Sequence, residues 1–295
     1  MQYDVIIIGA SYAGLSAGLP LVRARRNVLM IDSGQRRNRF ATHSHGFLTQ
    51  DGTDAATIAH EGRKQLLAYD TISWLDAHVS DIKKLADGFE VCLADHEPQQ
   101  ASRLILATGI TDVLPDLPGL AERWGQSIFH CPYCHGYELN QGQIGVLATS
   151  ELSLHVALML PDWGSTTLFL NGALEPNAEQ LAQLKARHVS IEQRRIQAIE
   201  NNLDMRMEDE TIIRLDGLFV TPQFIQTNSF AQTLGCDMEQ MPLGQIMKTS
   251  VVKATTVSGV FACGDAARFG GSVPLAVGDG TIAGAAAHQS LIFGI

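Results

Sequence analysis

The chain is 295 residues long, 45% hydrophobic and 18% charged, with a formal charge of −10. That length suits two domains, and the acidity leaves no basic face for nucleic acid or an anionic membrane. No apolar run reaches the ~20 residues of a membrane span, and the apolar start at residues 5–8 lacks the basic flank of a secretory leader. Of the five cysteines only two stand close together, which suits a reducing, cytoplasmic setting. Cys92, Cys236 and Cys263 read as small core residues.

In chain order, residues 3–8 form a β-branched strand that ends in Gly9-Ala10-Ser11-Tyr12-Ala13-Gly14. A helical pattern follows, then a second strand closing on Asp32. Strand, glycine turn, helix, strand and acid together make a dinucleotide-binding βαβ unit. Gly9 permits the tight turn, Gly14 permits close helix–strand packing, and N–H groups at the helix start can cradle a pyrophosphate. Ser11 replaces the middle glycine of the fingerprint and is small enough to be tolerated. Asp32 is placed to accept from ribose hydroxyls. The polar stretch after it, with Ser33, Gly34, Arg37, Asn38 and His45, reads either as a loop beside an adenosine and its phosphates or as a solvated turn. An amphipathic helix is predicted over 54–69, and short strands over 71–74, 76–84, 89–93 and 101–106. The last strand runs into Thr108-Gly109, where strand ends meet ligand in doubly wound sheets.

Prolines at 115 and 118 mark a hinge. Beyond it stands His130-Cys131-Pro132-Tyr133-Cys134-His135-Gly136. C-x-x-C spacing brings two sulfurs within bonding reach, a helix N-terminus there would lower a thiol's pKa, and histidine titrates near neutrality. The segment reads as a reversible dithiol with its own acid–base group. Zinc is the competing use, but no second ligand pair follows at zinc-ribbon or zinc-finger spacing, so no metal is expected. A second strand–helix–strand is predicted over 144–148, 152–163 and 166–170, then a helix over 178–188. Its turn reads Ala148-Thr149-Ser150-Glu151-Leu152-Ser153, with no glycine, and residues 171–176 offer no arginine or lysine. That turn looks degenerate for NADPH. The chain closes with a strand over 259–263, then Gly264-Asp265, whose carboxylate can hold a ribityl or phosphate group. A small-residue helix over 278–290 follows, suited to tight packing on a sheet.

Together these residues resemble the low-molecular-weight thioredoxin reductases, over nearly the whole chain. The resemblance implies an α/β protein of two Rossmann-like, three-layer ββα dinucleotide-binding domains, the second inserted into the first. FAD would bind the discontinuous domain 1–114 and 243–295, and domain 115–242 would carry the dithiol. By the same carry-over Cys134 lies against the flavin as the charge-transfer thiolate, Cys131 exchanges with the partner's sulfur, and the chain is a homodimer. The family usually has an acid after the second cysteine; here it is His135. The run C-P-Y-C-H-G-Y-E is most similar to a subgroup that includes dithiol oxidases of disulfide-containing natural products, which pass electrons through FAD to oxygen. His135, as a base of near-neutral pKa, suits that direction. Ser272 and Val273 stand where thioredoxin reductases carry arginine and glutamine, so they would offer backbone groups to the flavin. The expected function is a FAD-dependent thiol–disulfide oxidoreductase acting on a small dithiol or disulfide, or on a thioredoxin-like protein, without NADPH as the driver. An NAD(P)H-dependent thioredoxin reductase is the alternative, and a non-catalytic redox-sensing flavoprotein is a reading of another class.

Overall fold

The computed structural model describes residues 2–294. The chain divides into two compact units. The first comprises residues up to Arg39, Phe47–Thr111 and those from Phe224 on; the second comprises Phe40–Gly46 and Asp112–Gln223.

In the first unit strand β1 (Gln2–Ile8) lies between β2 (Val28–Asp32) and the strand Gln99–Leu106, parallel to both, and Ile72–Asp76 extends the sheet beyond β2. Alternate β1 side chains feed two cores: Val5 and Ile7 meet helix α1 (Tyr12–Arg23), while Ile6 and Ile8 face the other layer. A strand covered on both faces must be apolar throughout, which is why this stretch shows no alternation. The far side of Gln99–Leu106 is shared. Its first residues pair antiparallel with Gly88–Leu93, and Leu104, Ile105 and Leu106 pair parallel with Val260–Ala262. Helix α2 (Ala55–Leu67) begins where the Asp54 carboxylate accepts the Thr57 N–H at 2.6 Å.

The second unit repeats the plan. Five parallel strands run in the order Ile128–Phe129, Gly217–Val220, Gln141–Leu147, Gly164–Phe169, Ser190–Glu192. Residues near the one-turn helix α3 (Pro132–His135), α4 (Leu152–Met159) and α5 (Ala178–Ala186) share one core with Ile144, Val146 and Phe219. The antiparallel strands Ile196–Glu200, Asp204–Met207 and Ile212–Arg214 cover the other face through Met205 and Met207. Each unit is thus a three-layer ββα Rossmann-like fold.

Three placements differ from the sequence reading. The second boundary falls after Gln223 rather than at 242/243, because Gln223–Gln226 pairs with Ile110–Val113 and Phe224 shares a core with Ile110 and Ile246. The segment Phe40–Gly46 counts with the second unit; Phe40 packs against Gly125. After the short α6 (Phe230–Leu234), the last helix α7 spans Val273–Phe293 instead of 278–290. Ser272 is its N-cap, and Pro274 fits the first turn, where an N–H has no helical partner anyway. Its small residues pack chiefly on α1, with less contact to the sheet: Ala283, Ala286 and Ala287 share a core with Ala13 and Ala17.

Candidate active site

The second unit holds the dithiol. Cys131 is the extended N-cap of α3, Pro132 takes the first helical position, and the Cys134 N–H donates to the Cys131 carbonyl at 3.2 Å. This one-turn reversal brings the two Cα atoms to 5.3 Å, and the sulfurs form a disulfide. A helix of four residues adds only a small dipole, so the expected helical lowering of a thiol pKa is correspondingly weak here.

His135 is stacked on Phe129, with ring centroids 4.3 Å apart and planes 18° off parallel. Burial first, then the positive potential of His130 and His45, pushes its pKa down to about 4, opposed by Glu138. The near-neutral base expected from sequence is therefore corrected: His135 is neutral at pH 7 and holds a proton poorly while the disulfide is closed. A thiolate formed in this segment would raise its proton affinity. His45, expected in the loop beside the cofactor, lies with Nδ1 3.5 Å from Oε1 of Glu138, three residues beyond His135. Phe129 went unread, and His45 and Glu138 were not connected with His135, because these contacts come from across the fold.

In the first unit the glycine turn closes as expected. Gly9 has φ +96°, and a side chain there would collide with the Ala107 carbonyl; one at Gly14 would collide with the Gly9 carbonyl. Ser11 N-caps α1 with its hydroxyl making no cap bond, and Ala13 lies buried in the first turn. Asp32 Oδ1 accepts the Ala10 N–H at 3.2 Å, so part of this carboxylate braces the turn. Asn38 donates to the Tyr12 hydroxyl at 3.0 Å, and that hydroxyl donates to the Ala55 carbonyl at 2.8 Å. Arg37 pairs with Asp265 at 2.9 Å. Ser33 and Gly34 are exposed, while Gly109 and Gly264 take left-handed backbone at φ +67° and +68°. Ser272 uses its hydroxyl to cap α7, accepting the Leu275 N–H at 3.5 Å, and Val273 opens that helix.

Two buried oxygens flanking the turn, Thr108 Oγ1 and Asn38 Oδ1, have no partner. The Thr108 backbone borders Gly9, and Asn38 reaches the first turn of α1. Orphaned polar atoms beside a glycine turn are what a bound dinucleotide would satisfy, so these residues fit FAD.

The second nucleotide turn is built differently. The Ser153 hydroxyl accepts the Thr149 N–H at 3.0 Å and the Ser150 N–H at 3.5 Å. Thr149 Oγ1 donates to the Thr221 carbonyl at 2.8 Å. Glu151 sits at the N-cap of α4, its carboxylate held by Gln180 Nε2 at 3.0 Å. The fold does bring a cation to the end of the next strand: the Arg195 guanidinium lies against Gly172, with Nη2 2.9 Å from where a Cβ would stand. Arg195 went unread because it lies well beyond 171–176 in sequence.

A profile of the pyridine nucleotide-disulphide oxidoreductases matches residues 3–280. The chain belongs to that family. The thioredoxin reductase tcpT of Claviceps purpurea (strain 20.1) is 33% identical over 304 residues, covering 98% of this chain and 94% of that protein. Among solved structures, an oxidoreductase from Agrobacterium tumefaciens is 54% identical with a TM-score of 0.97, covering 99% of both chains. HlmI is 33% identical with a TM-score of 0.91, covering 99% of this chain and 93% of its own. The resemblance to thioredoxin reductases is borne out, and the chain is an oxidoreductase of this family, whose membership implies FAD. Among the described residues, no helix is long and apolar enough to cross a membrane.

Proposed function

We propose that this oxidoreductase oxidises dithiols through Cys131 and Cys134 and FAD, without NADPH as its reductant. The observation that carries the reading is Ser153. Its hydroxyl already occupies two backbone donors of the turn where a nicotinamide dinucleotide's pyrophosphate would lie, and the Glu151 carboxylate adds like charge. In this reading those bonds leave the second turn poorly suited to NADPH, although the buried Ser150 hydroxyl in it has no partner.

In the exchange, a substrate thiolate attacks Cys131 Sγ, the Cys131–Cys134 bond breaks, and Cys134 leaves as a thiolate. The substrate's second thiol, deprotonated, attacks the mixed disulfide. The substrate departs as a disulfide, and its two electrons remain as the reduced Cys131–Cys134 pair. His135, neutral beforehand, accepts a proton as a thiolate forms beside it. FAD, when bound, takes the electron pair from the reduced cysteines and delivers it to oxygen or another acceptor. Gly9, Ser11, Ala13, Gly14, Asp32, Arg37, Asn38, Thr108, Gly109, Gly264, Asp265, Ser272 and Val273 form the flavin cradle in this reading. Family habit supports a homodimer, which light scattering checks, and the unpaired free cysteines support a reducing cytoplasm.

Arg195 against Gly172 favours a second reading, an NAD(P)H-dependent thioredoxin reductase, since a guanidinium there could hold a 2′-phosphate. Anaerobic stopped-flow of the flavin decides between them. Bleaching by dithiothreitol but not by NADPH or NADH, reversed by air and lost in Cys134→Ser, is the expected result. Fast bleaching by NADPH overturns the first reading.

A further inference from the structure

Among the described residues Asp279, in the second turn of α7, is the only buried side chain that carries a full charge, and it is 2% exposed. Two cations hold it. Arg268 donates in a fork, from Nε to Oδ2 at 2.9 Å and from Nη2 to Oδ1 at 2.7 Å. Lys253 Nζ lies 2.9 Å from Oδ2, its side chain 12% exposed. Burial pushes the Asp279 carboxyl up, but the bonds from Arg268 and Lys253 outweigh it and hold the group below the usual carboxylate range. Asp279 is therefore ionised, and two cations against one carboxylate leave a surplus positive charge. Lys253 reaches this point from left-handed backbone, φ +65°, a strain that persists only where the surroundings impose it.

The triad adjoins the segment that carries Asp265, Ser272 and Val273. Arg268 follows Asp265 by three residues, a reach of at most about 11 Å, and Asp279 follows Ser272 by seven, roughly 10 Å along the helix. Cys263, just before Gly264, has its thiol pushed up to about 12 by burial first and then by Asp279, with Lys253 opposing. A Cβ on Gly271 would collide with the Asp265 carboxylate, so the chain after Arg268 folds back on that residue. Burying three charges costs desolvation that apolar side chains of similar size avoid, so stability alone does not account for the cluster.

Resting on the reading that FAD lies on Gly264–Asp265 and Ser272–Val273, we propose that Lys253, Asp279 and Arg268 set the reduction potential of the bound flavin. The reduced Cys131–Cys134 pair gives up two electrons and two protons as it closes to the disulfide. The ring takes both electrons and one proton, the other proton goes to solvent, and the ring gains one negative charge. Surplus positive charge fixed in a low-dielectric interior stabilises that product without reorganisation. The three are positioning residues that act through charge and draw flavin reduction towards completion.

The test is anaerobic reduction of the FAD-loaded protein to equilibrium with a dye of known potential, with titrations of apoprotein by oxidised FAD beside it. Lys253→Met, which cancels the surplus charge, should lower the equilibrium constant for flavin reduction about tenfold, a fall of about 30 mV for two electrons. Lys253→Arg should leave the potential unchanged, and Asp279→Asn, which adds a surplus charge, should raise it. Loosened packing has no reason to follow the sign of the charge. If Asp279→Asn does not fold, the two Lys253 variants still decide. An unmoved potential in Lys253→Met, an equal fall in Lys253→Arg, or a fall in Asp279→Asn overturns the proposal. Weaker FAD binding in Lys253→Met with the potential unmoved also overturns it, and assigns the charge to the pyrophosphate. A wild type that binds no FAD would instead sink the cradle reading beneath it.

Discussion

His135 shows how one contact sets a residue's chemistry. Packed on Phe129, it has a pKa near 4 against an ordinary 6.5, so at pH 7 only about one molecule in a thousand carries the proton. Between those two values the unfolded chain binds a proton that the folded chain does not. The stability that His135 contributes is therefore fully present above about pH 6.5, is lost as pH falls towards 4, and changes little below that. Urea unfolding midpoints measured from pH 7 to pH 4 should fall less steeply for His135→Phe than for the wild type; parallel curves would show that His135 titrates normally in the fold. None of this was legible in the sequence. The histidine after Cys134 could be read, but the ring against it comes from a neighbouring strand, and a side chain's proton affinity depends on what surrounds it.

Elements were read with mixed success, for local reasons. The first βαβ unit was legible because Gly9, Gly14 and Asp32 act through backbone geometry at fixed offsets along one short segment. The start of α2 was legible from its amphipathic pattern, and the structure adds the cap from Asp54. The start of α7 was placed too late: Ser272 caps the helix, and Pro274 is compatible with a first helical turn. The Ser153 bonds and Arg195 against Gly172 depend on turns closing in space, so a scan for glycine or for cations could not find them. The glycine turn yields a prediction at this scale. Gly9→Ala must tolerate φ +96° and a collision with the Ala107 carbonyl, a strain of at least ~1 kcal/mol. It should be purified with little or no flavin absorbance, whereas a variant retaining full flavin content would show that the turn is not where the dinucleotide rests.

For the whole molecule, the same ββα plan occurs twice, once with a glycine turn braced by Asp32 and once with a glycine-free turn whose N–H groups bond to the Ser153 hydroxyl. That difference has a meaning in terms of linkage. A site that binds ligand only when folded gains stability as ligand concentration rises, so its melting temperature reports on the nucleotide around it. Ser153 is a ligand the chain carries covalently, present at a fixed concentration whatever the solution holds. On the dithiol-oxidase reading the protein's melting temperature should therefore not move with NADP⁺ or NADPH but should rise with added FAD; a rise with NADPH would count against that reading. On that reading the second turn is stabilised by a group written into the sequence and not by the cell's nucleotide pool.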